Sequence, residues 1–377
     1  MESVCLIFSN TIFVKSILCV IMSVGIVSFC RTPFCPMGGK LSGTTAADLA
    51  STALGGVIAR SGLEKTEIDG GYILGQAVSS GSGPQSALKV WEGLFKGNQN
   101  NQRLQGSCFT VSNGLLSSLR ASVLGAHAIM TKEADFIAVG GVESFSQAPW
   151  LLRRGSVGGV GDRVLEDSIV SDFGGPHFRP PPPHPPRSLQ DSFAFSSLRK
   201  YNAALSTGLS EIQPVGPVLK DIVKSLTADT LASQKSVEDG ATSGNSSFLA
   251  DGASALILAD MEIAKQKGVR VRGRLLGWST DSVKTLLTKT NTSSESIKFW
   301  EIHESSAHAV LGLVRNLGID LEKVNPRGGA IVLGSPVGAV GASLVGGLME
   351  SLESTGGGKG VVFIKDGPQA IAMLIEV

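Results

Sequence analysis

The sequence predicts an α/β fold in which a parallel or mixed sheet is covered by helices and one structural unit occurs twice. Short apolar runs of strand length alternate with longer segments in which apolar residues recur at helical spacing. This alternation is typical of α/β sheets, because a crossover between parallel strands usually contains a helix. An apolar strand, a turn of small residues and an apolar helix occur in both halves, which suggests an internal duplication. With 377 residues, 42% of them hydrophobic and 17% charged, the chain is long enough for two or three domains.

The first half contains two helices with a clear apolar face. One is predicted at residues 45–61, where Leu49, Leu54, Val57 and Ile58 share a face. The other is predicted at residues 111–130, with apolar residues at helical spacing from Leu115 to Met130. Strands are predicted at residues 24–29, 68–75 and 136–141. The last of these runs ends in glycine and suits a fully buried strand.

The sequence changes character between the two halves. Glycine-rich sequence leads into a proline-rich segment, residues 176–188, in which Pro180 to Pro183 are consecutive. Repeated X-Pro steps exclude a helix or a central strand there. We interpret this segment as an exposed polyproline II stretch or a low-complexity insertion, and a recognition role is the alternative.

The second half repeats the order of elements found in the first. Helical spacing resumes at residues 190–201. Further strands are predicted at residues 253–259, 360–364 and 370–376, and further helices at 261–267, 308–317 and 341–352. These elements divide the chain into an apolar extension (1–23), an N-terminal domain (24–260) with a loop insertion (145–244), and a C-terminal domain (265–377).

Composition excludes several classes of protein. The net charge is +1 and the basic residues are scattered, so the sequence does not predict a nucleic-acid partner. The five cysteines, Cys5, Cys19, Cys30, Cys35 and Cys108, form no CxxC pair, which argues against a disulfide framework or a cysteine metal site and favours a reducing compartment.

The N-terminus leaves the compartment open. Residues 17–30 are apolar but short for a membrane span, and a signal anchor running through Lys15 is an alternative to a simple extension. The segment is poor in arginine, unlike a mitochondrial presequence, and the chain ends in Leu-Ile-Glu-Val without a C-terminal sorting signal. A mitochondrial or cytoplasmic location is favoured over association with a membrane.

Five short blocks of sequence stand out along the chain. They are residues 26–34 (IVSFCRTPF), 139–144 (VGGVES), 242–253 (TSGNSSFLADGA), 303–307 (HESSA) and 328–339 (GGAIVLGSPVGA). In kind and in order they resemble blocks of the thiolases, the family of acetyl-CoA acetyltransferases and 3-ketoacyl-CoA thiolases. The resemblance extends over nearly the whole chain, from Val24 to Glu376.

The resemblance implies a duplicated five-layer αβαβα core with an inserted loop domain. It also implies an acyl-CoA thioester as substrate, no covalently bound cofactor, and a homodimer or homotetramer. In the family a cysteine thiolate at a helix N-terminus takes the acyl group and a histidine activates it. A second cysteine moves a proton, and the histidine or asparagine that opens the HESSA-like block helps to hold an oxyanion.

Both catalytic cysteines of the family are missing from the matching positions. The nucleophile should lie three residues before the pair Gly114-Leu115, where this chain has Val111. An alternative alignment deletes about four residues, the cysteine among them, and also leaves no thiol. Cys108 lies nearby but in or before the predicted strand, so a buried structural thiol is the preferred interpretation and a nucleophile the alternative. Ile364 stands where the second cysteine is expected.

The remaining site positions are only partly preserved. Ser335 replaces the activating histidine, and a serine hydroxyl cannot act as the base at neutral pH. His303 matches the oxyanion position; its alternative is a histidine retained by the scaffold alone. Ser246 and Ser247 match positions that contact the coenzyme in the family, and otherwise they would form a hydrogen-bonded turn. Two family segments, a loop-domain helix before residue 190 and a pocket-lining GIGPVPA segment before His303, have no counterpart.

These observations leave three functional interpretations. The chain is an acyltransferase of thiolase lineage with impaired or altered chemistry, or a noncatalytic relative that binds acyl-CoA or serves as a partner subunit. The third is a faulty coding sequence of an active enzyme, in which misjoined exons removed the missing segments. As written, the sequence predicts no thiolysis of acetoacetyl-CoA.

Overall fold

The computed structural model describes residues 24–95, 106–153, 162–173, 183–237 and 239–377. The predicted N-terminal extension and residues 176–182 of the proline-rich segment lie outside these ranges. No described helix combines the length and the apolar character needed to cross a membrane.

Twelve strands and eleven helices are defined in the described residues. The strands are β1 (Val24–Arg31), β2 (Cys35–Pro36), β3 (Tyr72–Gly75), β4 (Phe109–Val111), β5 (Phe136–Glu143), β6 (Trp150–Leu151), β7 (Glu166–Asp167), β8 (Ala250–Asp260), β9 (Gly273–Ser279), β10 (Ile297–Ile302), β11 (Lys359–Asp366) and β12 (Gln369–Glu376). The helices are α1 (Ala46–Ser61), α2 (Ser86–Gly93), α3 (Ser117–Met130), α4 (Ser168–Phe173), α5 (Arg187–Thr207), α6 (Ala228–Ala232), α7 (Met261–Gln266), α8 (Val283–Lys289), α9 (Ala307–Leu317), α10 (Ala330–Leu333) and α11 (Val340–Glu353).

One long mixed sheet contains the same strand order twice. Its order is β10-β11-β12-β9-β1-β8-β5-β3-β4, with β2 paired to β8. In the N-terminal half β3 and β5 are parallel while β8 is antiparallel to β5 and to β1. In the C-terminal half β10 and β11 are parallel while β12 is antiparallel to β11 and to β9. The predicted duplication is therefore confirmed at the level of topology.

In the C-terminal half, a single bridge replaces the edge strand that corresponds to β4. Trp300 of β10 pairs in parallel with Val324, in the place where β3 pairs with β4 in the other half. The two halves meet where β1 pairs with β9 through Gly25 and Ile26.

Side chains alternate between three separate cores, which gives the five layers predicted from the resemblance. Ile137 and Val139 of β5 face a central core that also contains Leu119 of α3 and Leu348 of α11. The alternate residues of β5 join an outer core with α1, and in the C-terminal half alternate residues of β11 join a third core with α8 and α9. Helices α3 and α11 pack against each other between the two halves of the sheet.

Three predicted elements need correction. The helix predicted at residues 111–130 begins at Ser117, because residues 109–111 pair with β3 as strand β4. The strand predicted at 68–75 is shortened to Tyr72–Gly75, because the Asp69 carboxylate instead accepts from the Asp135 and Phe136 amides. The helix predicted at 190–201 extends over Arg187–Thr207 and starts directly after Pro186.

Candidate active site

The turn that leads into α3 contains no cysteine. Val111 ends β4, pairs with Gly75 and packs against the central core. Only Ser112 and Asn113 separate it from the 3₁₀ turn Gly114–Leu116 that leads into α3. The short connection matches the alignment in which the residues around the cysteine are deleted.

Ser117 forms two hydrogen bonds with the backbone of this turn. The Ser117 hydroxyl accepts from the Asn113 amide at 2.9 Å and donates to the Gly114 carbonyl at 2.7 Å. These two hydrogen bonds of Ser117 stabilise the connection from β4 to α3.

Cys108 lies immediately before β4, as the preferred interpretation placed it. Its half-buried thiol packs against the outer core of the N-terminal half, whereas Val111 packs against the central core. Burial raises the pKa of the Cys108 thiol above its ordinary value. A reactive cysteine needs a lowered pKa, so both the position and the electrostatics of Cys108 oppose the nucleophile alternative.

Ser335 lies in a loop that packs against the α3 turn. Its amide donates to the Phe248 carbonyl at 2.8 Å, and its carbonyl accepts from the Ala250 amide at 3.2 Å. The hydroxyl is buried and has no hydrogen-bond partner among the described residues. The 3₁₀ turn Val337–Ala339 that follows contacts the turn Gly114–Leu116. The loop has the expected position, but its serine supplies no base.

The β11–β12 hairpin is the third loop at this place. Ile364 is fully buried in the central core and pairs with Ile371 across the hairpin. The Asn113 side-chain amide donates to the Gln369 side-chain oxygen at 2.7 Å, which joins the hairpin to the α3 turn. The three loops that carry the family's chemistry thus meet, and in this chain they contribute a valine, a serine and an isoleucine.

His303 is a buried, neutral imidazole beside a small cavity. It follows β10, and its amide donates to the Phe363 carbonyl at 3.2 Å. Burial lowers the pKa of the ring to about 4, so it is uncharged at neutral pH. Nδ1 has no hydrogen-bond partner among the described residues. Such a ring can donate one N–H to a water or an oxyanion.

The cavity beside His303 has a volume of about 60 Å³. Its walls include Glu301, Arg327 and Gly334 as well as His303. Ser335 follows Gly334 in the chain but does not line the cavity. His303 and Ser335 are therefore close in the fold without sharing the described pocket, and the oxyanion role of His303 stays a prediction.

The segment that contains Ser246 and Ser247 connects the His303 and Ser335 loops. The Ser247 amide donates to the Ser305 carbonyl at 2.9 Å, and Ser246 forms a bridge with Ser306. Leu249 forms the next bridge, with Ser335. Both serines are half-buried, so they form a hydrogen-bonded segment and remain partly accessible to a ligand.

Lys224 was not singled out in the sequence, although it lies against this segment. Its ammonium donates to the carbonyls of Ser246 at 2.7 Å and Ser243 at 2.5 Å, and it lies 5.1 Å from the centre of the Phe248 ring. Burial lowers the pKa of Lys224 to about 8. A single lysine in an insertion carries no motif, so only the structure identifies this cation beside the predicted coenzyme site.

Two buried carboxyl groups hold the loops in place. Glu143 accepts from the amides of Ala77, Val78 and Gly338 at 3.0–3.1 Å, and burial raises its pKa to about 8. Glu304 accepts from three groups of other elements: the Ser197 hydroxyl at 2.9 Å, the Asn325 amide at 2.8 Å and the Ile331 backbone amide at 3.2 Å. Both residues belong to the quoted blocks, and the structure shows that they position loops.

Comparisons with known proteins agree with this architecture. The family model described as "Thiolase, N-terminal domain" matches residues 24–174, and the model described as "Thiolase, C-terminal domain" matches residues 257–377. The chain is 30% identical over 393 residues to the mitochondrial acetyl-CoA acetyltransferase of Homo sapiens, covering 93% of this chain and 90% of that protein. It is 31% identical over 395 residues to the acetyl-CoA acetyltransferase of Escherichia coli (strain K12), covering 93% and 98%.

Solved structures give the same result. Human mitochondrial 3-ketoacyl-CoA thiolase in complex with CoA superposes with a TM-score of 0.82 at 26% identity, covering 95% of this chain and 98% of that one. Acetyl-CoA acetyltransferase from Syntrophomonas wolfei superposes with a TM-score of 0.84 at 25% identity, covering 94% and 99%. Sequence, topology and site loops agree, and the chain belongs to the thiolase family.

Proposed function

We propose that this protein binds acyl-CoA thioesters and does not form the acyl-enzyme intermediate of its family. The proposal rests on the three loops that meet at the start of α3. Val111 belongs to strand β4 just before this turn, and the facing loops contribute Ser335 and Ile364. Loss of a nucleophile together with its base removes on the order of a million-fold in rate, because such groups act as a unit.

Binding of the coenzyme is supported by the segment that survives. Ser246 and Ser247 lie between the His303 and Ser335 loops, and the Lys224 ammonium donates to the Ser246 carbonyl. A cation and accessible serines suit a ligand that carries several phosphates. A relative with a similar fold was solved in complex with CoA.

The homodimer or homotetramer predicted from the resemblance also stays a proposal. Strand β4 forms an edge of the sheet, and Phe109 on it is 41% exposed. An exposed edge strand with an apolar residue is suited to pairing with a second copy. Sedimentation analysis of the purified chain tests this; a monomer at micromolar concentration would contradict it.

The functional proposal is tested by measuring turnover and binding in parallel. Purified protein is assayed for loss of the acetoacetyl-CoA enolate absorbance, and CoA binding is measured by calorimetry. We expect no thiolysis above the background and measurable CoA binding. Thiolysis that disappears in Cys108→Ala would contradict the assignment of Cys108 as a structural thiol.

A matched pair of variants locates the binding site. Ser247→Asp places a negative charge beside the proposed coenzyme phosphates and should weaken CoA binding by at least about tenfold. Ser236 is an exposed serine of the loop insertion and lies outside the segment that contains Ser247, so Ser236→Asp should leave the affinity unchanged. Equal affinities in the two variants would place the coenzyme elsewhere.

A further inference from the structure

A cluster of two histidines and an aspartate lies outside the predicted active site. His184 Nδ1 is 2.9 Å from His308 Nε2, and His184 Nε2 is 3.7 Å from an oxygen of Asp239. One ligand atom from each residue can be chosen so that all lie within 4.8 Å of one another. His308 is 6% exposed, while the side chains of His184 and Asp239 are each 33% exposed, so the cluster is reachable from solvent on one side.

The three residues come from separate parts of the chain, and the backbone around them is fixed by hydrogen bonds. The side-chain amide of Gln190, which is fully buried, donates to the Pro185 carbonyl at 2.9 Å and to the Asp239 carbonyl at 2.7 Å. Arg315 of α9 donates to the Pro183 carbonyl. These hydrogen bonds hold the segment with His184 against both the Asp239 loop and the helix that carries His308. None of them uses the side chains of the cluster.

We propose that His184, Asp239 and His308 form a binding site for a divalent zinc ion. Two imidazoles and one carboxylate are ligands that Zn²⁺ accepts, whereas Mg²⁺ and Ca²⁺ prefer oxygen ligands alone. Bonds of about 2.0–2.1 Å hold two donors of a tetrahedral zinc site roughly 3.4 Å apart. One donor atom of each residue lies within 4.8 Å of the other two, so rotation of the partly exposed His184 and Asp239 side chains brings the three donors to that distance. Water fills the remaining position.

The ion would connect the proline-rich segment to the frame of the predicted acyl-CoA site. His308 lies in the first turn of α9, and the amide of Ala307 donates to the Asn245 carbonyl at 2.8 Å. Asn245 also donates to the Gly240 carbonyl at 3.1 Å, next to Asp239. Zinc would therefore stabilise the segment that precedes Ser246, whether or not the protein binds acyl-CoA.

The test uses the full chain, freed of metal with a chelator and dialysed, then titrated with zinc chloride. Bound zinc is measured by equilibrium dialysis, and the melting temperature is followed in the same samples. His184→Asn and Asp239→Asn each remove one ligand; asparagine also tolerates the positive φ of 49° at position 239. His127→Asn is the matched control, because His127 is an exposed histidine far from the cluster in the sequence.

We expect one zinc ion per chain and a raised melting temperature in the wild type and in His127→Asn. Each ligand variant should bind at least about tenfold more weakly, and magnesium chloride should produce no shift. Absence of zinc binding by folded wild type, or ligand variants that bind zinc as tightly as wild type, would overturn the proposal. A cobalt-substituted protein that shows thiolate charge-transfer absorbance would overturn it too, since the metal would then be held by cysteine.

Discussion

Two titratable groups beside the 60 Å³ cavity are both held in their neutral forms. Burial lowers the pKa of His303 to about 4 and raises the pKa of Glu301 to about 8. One carboxyl oxygen of Glu301 has no hydrogen-bond partner among the described residues. A pKa that differs between the folded and unfolded states makes the free energy of unfolding depend on pH. His303 therefore affects stability in acid, and Glu301 affects it in alkaline solution.

Glu301→Gln should make the protein more stable in alkaline solution. The folded pKa of about 8 lies above the ordinary value of 4.5, so the stabilisation by the protonated group is complete below 4.5 and is lost as pH rises through 8. Glutamine keeps the shape and cannot ionise. Urea unfolding should give nearly equal stabilities at pH 5 and a variant more stable by on the order of 1–3 kcal/mol at pH 9. The exposed Glu133→Gln is the control, and a pH-independent difference for Glu301→Gln would contradict the assignment.

The quoted blocks predict only part of the cavity beside His303. Three blocks contribute to its walls, through residues such as Phe29, His303 and Gly334, whereas Tyr201 and Leu344 belong to no quoted block. Which side chains line a pocket depends on long-range packing, and a single sequence does not show this.

Among the secondary-structure elements, apolar spacing predicts the bounds of helices that have one apolar face. It gives the wrong start for a helix that directly follows a short strand. Helix α1 agrees with its prediction, and Thr45 caps it by accepting from the Asp48 amide at 3.1 Å. The apolar run that begins at Val111 fits a helix in its spacing, yet pairing with β3 takes its first residue into the sheet. Strand pairing is a tertiary effect that overrides local preference.

Helix α11 provides a prediction about close packing. A Cβ added to Gly346 would lie 1.9 Å from a ring carbon of Phe29 in β1, whereas at Gly347 the nearest atom is 4.0 Å away. Gly346→Ala should therefore destabilise the protein by about 1–3 kcal/mol through overpacking. Gly347→Ala should be neutral or stabilising by up to about 1 kcal/mol, because alanine favours the helix. Denaturant unfolding of both variants checks this, and equal effects would contradict the packing seen between α11 and β1.

For the whole molecule, a buried network of charges joins the two halves to the insertion. Arg31 at the end of β1 contacts the Asp221 carboxylate at 2.6 Å and 2.9 Å and Glu211 at 3.5 Å. Arg327 of the C-terminal half donates to both oxygens of Glu211 at 3.0 Å. The Tyr201 hydroxyl of α5 donates to Asp221 at 3.1 Å. The inserted region is thus bound to both halves through shared carboxylates.

Arg31→Met should destabilise the whole protein. It would leave the Asp221 and Glu211 carboxylates buried with less positive charge, and breaking one side of a buried pair costs about 3–5 kcal/mol. The double variant Arg31→Met, Asp221→Leu removes the stranded Asp221 charge and should recover part of that loss. Thermal and urea unfolding of the single and double variants provide the check. A single variant as stable as wild type would show that the network contributes nothing.

The repeated order of apolar strands and helices suggests the duplication, and the resemblance to the thiolases implies the five layers. The sequence does not show that the edge strand beside β10 is reduced to the Trp300–Val324 bridge. It also does not show that the proline-rich segment brings His184 to His308, which are 124 residues apart. These contacts depend on how the insertion folds back, and its one predicted helix, at residues 190–201, does not indicate where the segments on either side of it lie.

We infer that the chain keeps the thiolase fold and does not form the acyl-enzyme intermediate. Intact-protein mass spectrometry after incubation with acetyl-CoA, with CoA binding measured on the same preparation, distinguishes an acylated chain from an unmodified one. We expect saturable binding and an unchanged protein mass, because Val111 and Ile364 offer no group that can be acylated and the pKa of the Cys108 thiol is raised. A mass increase of one acetyl group that maps to a cysteine and disappears on addition of free CoA would contradict it.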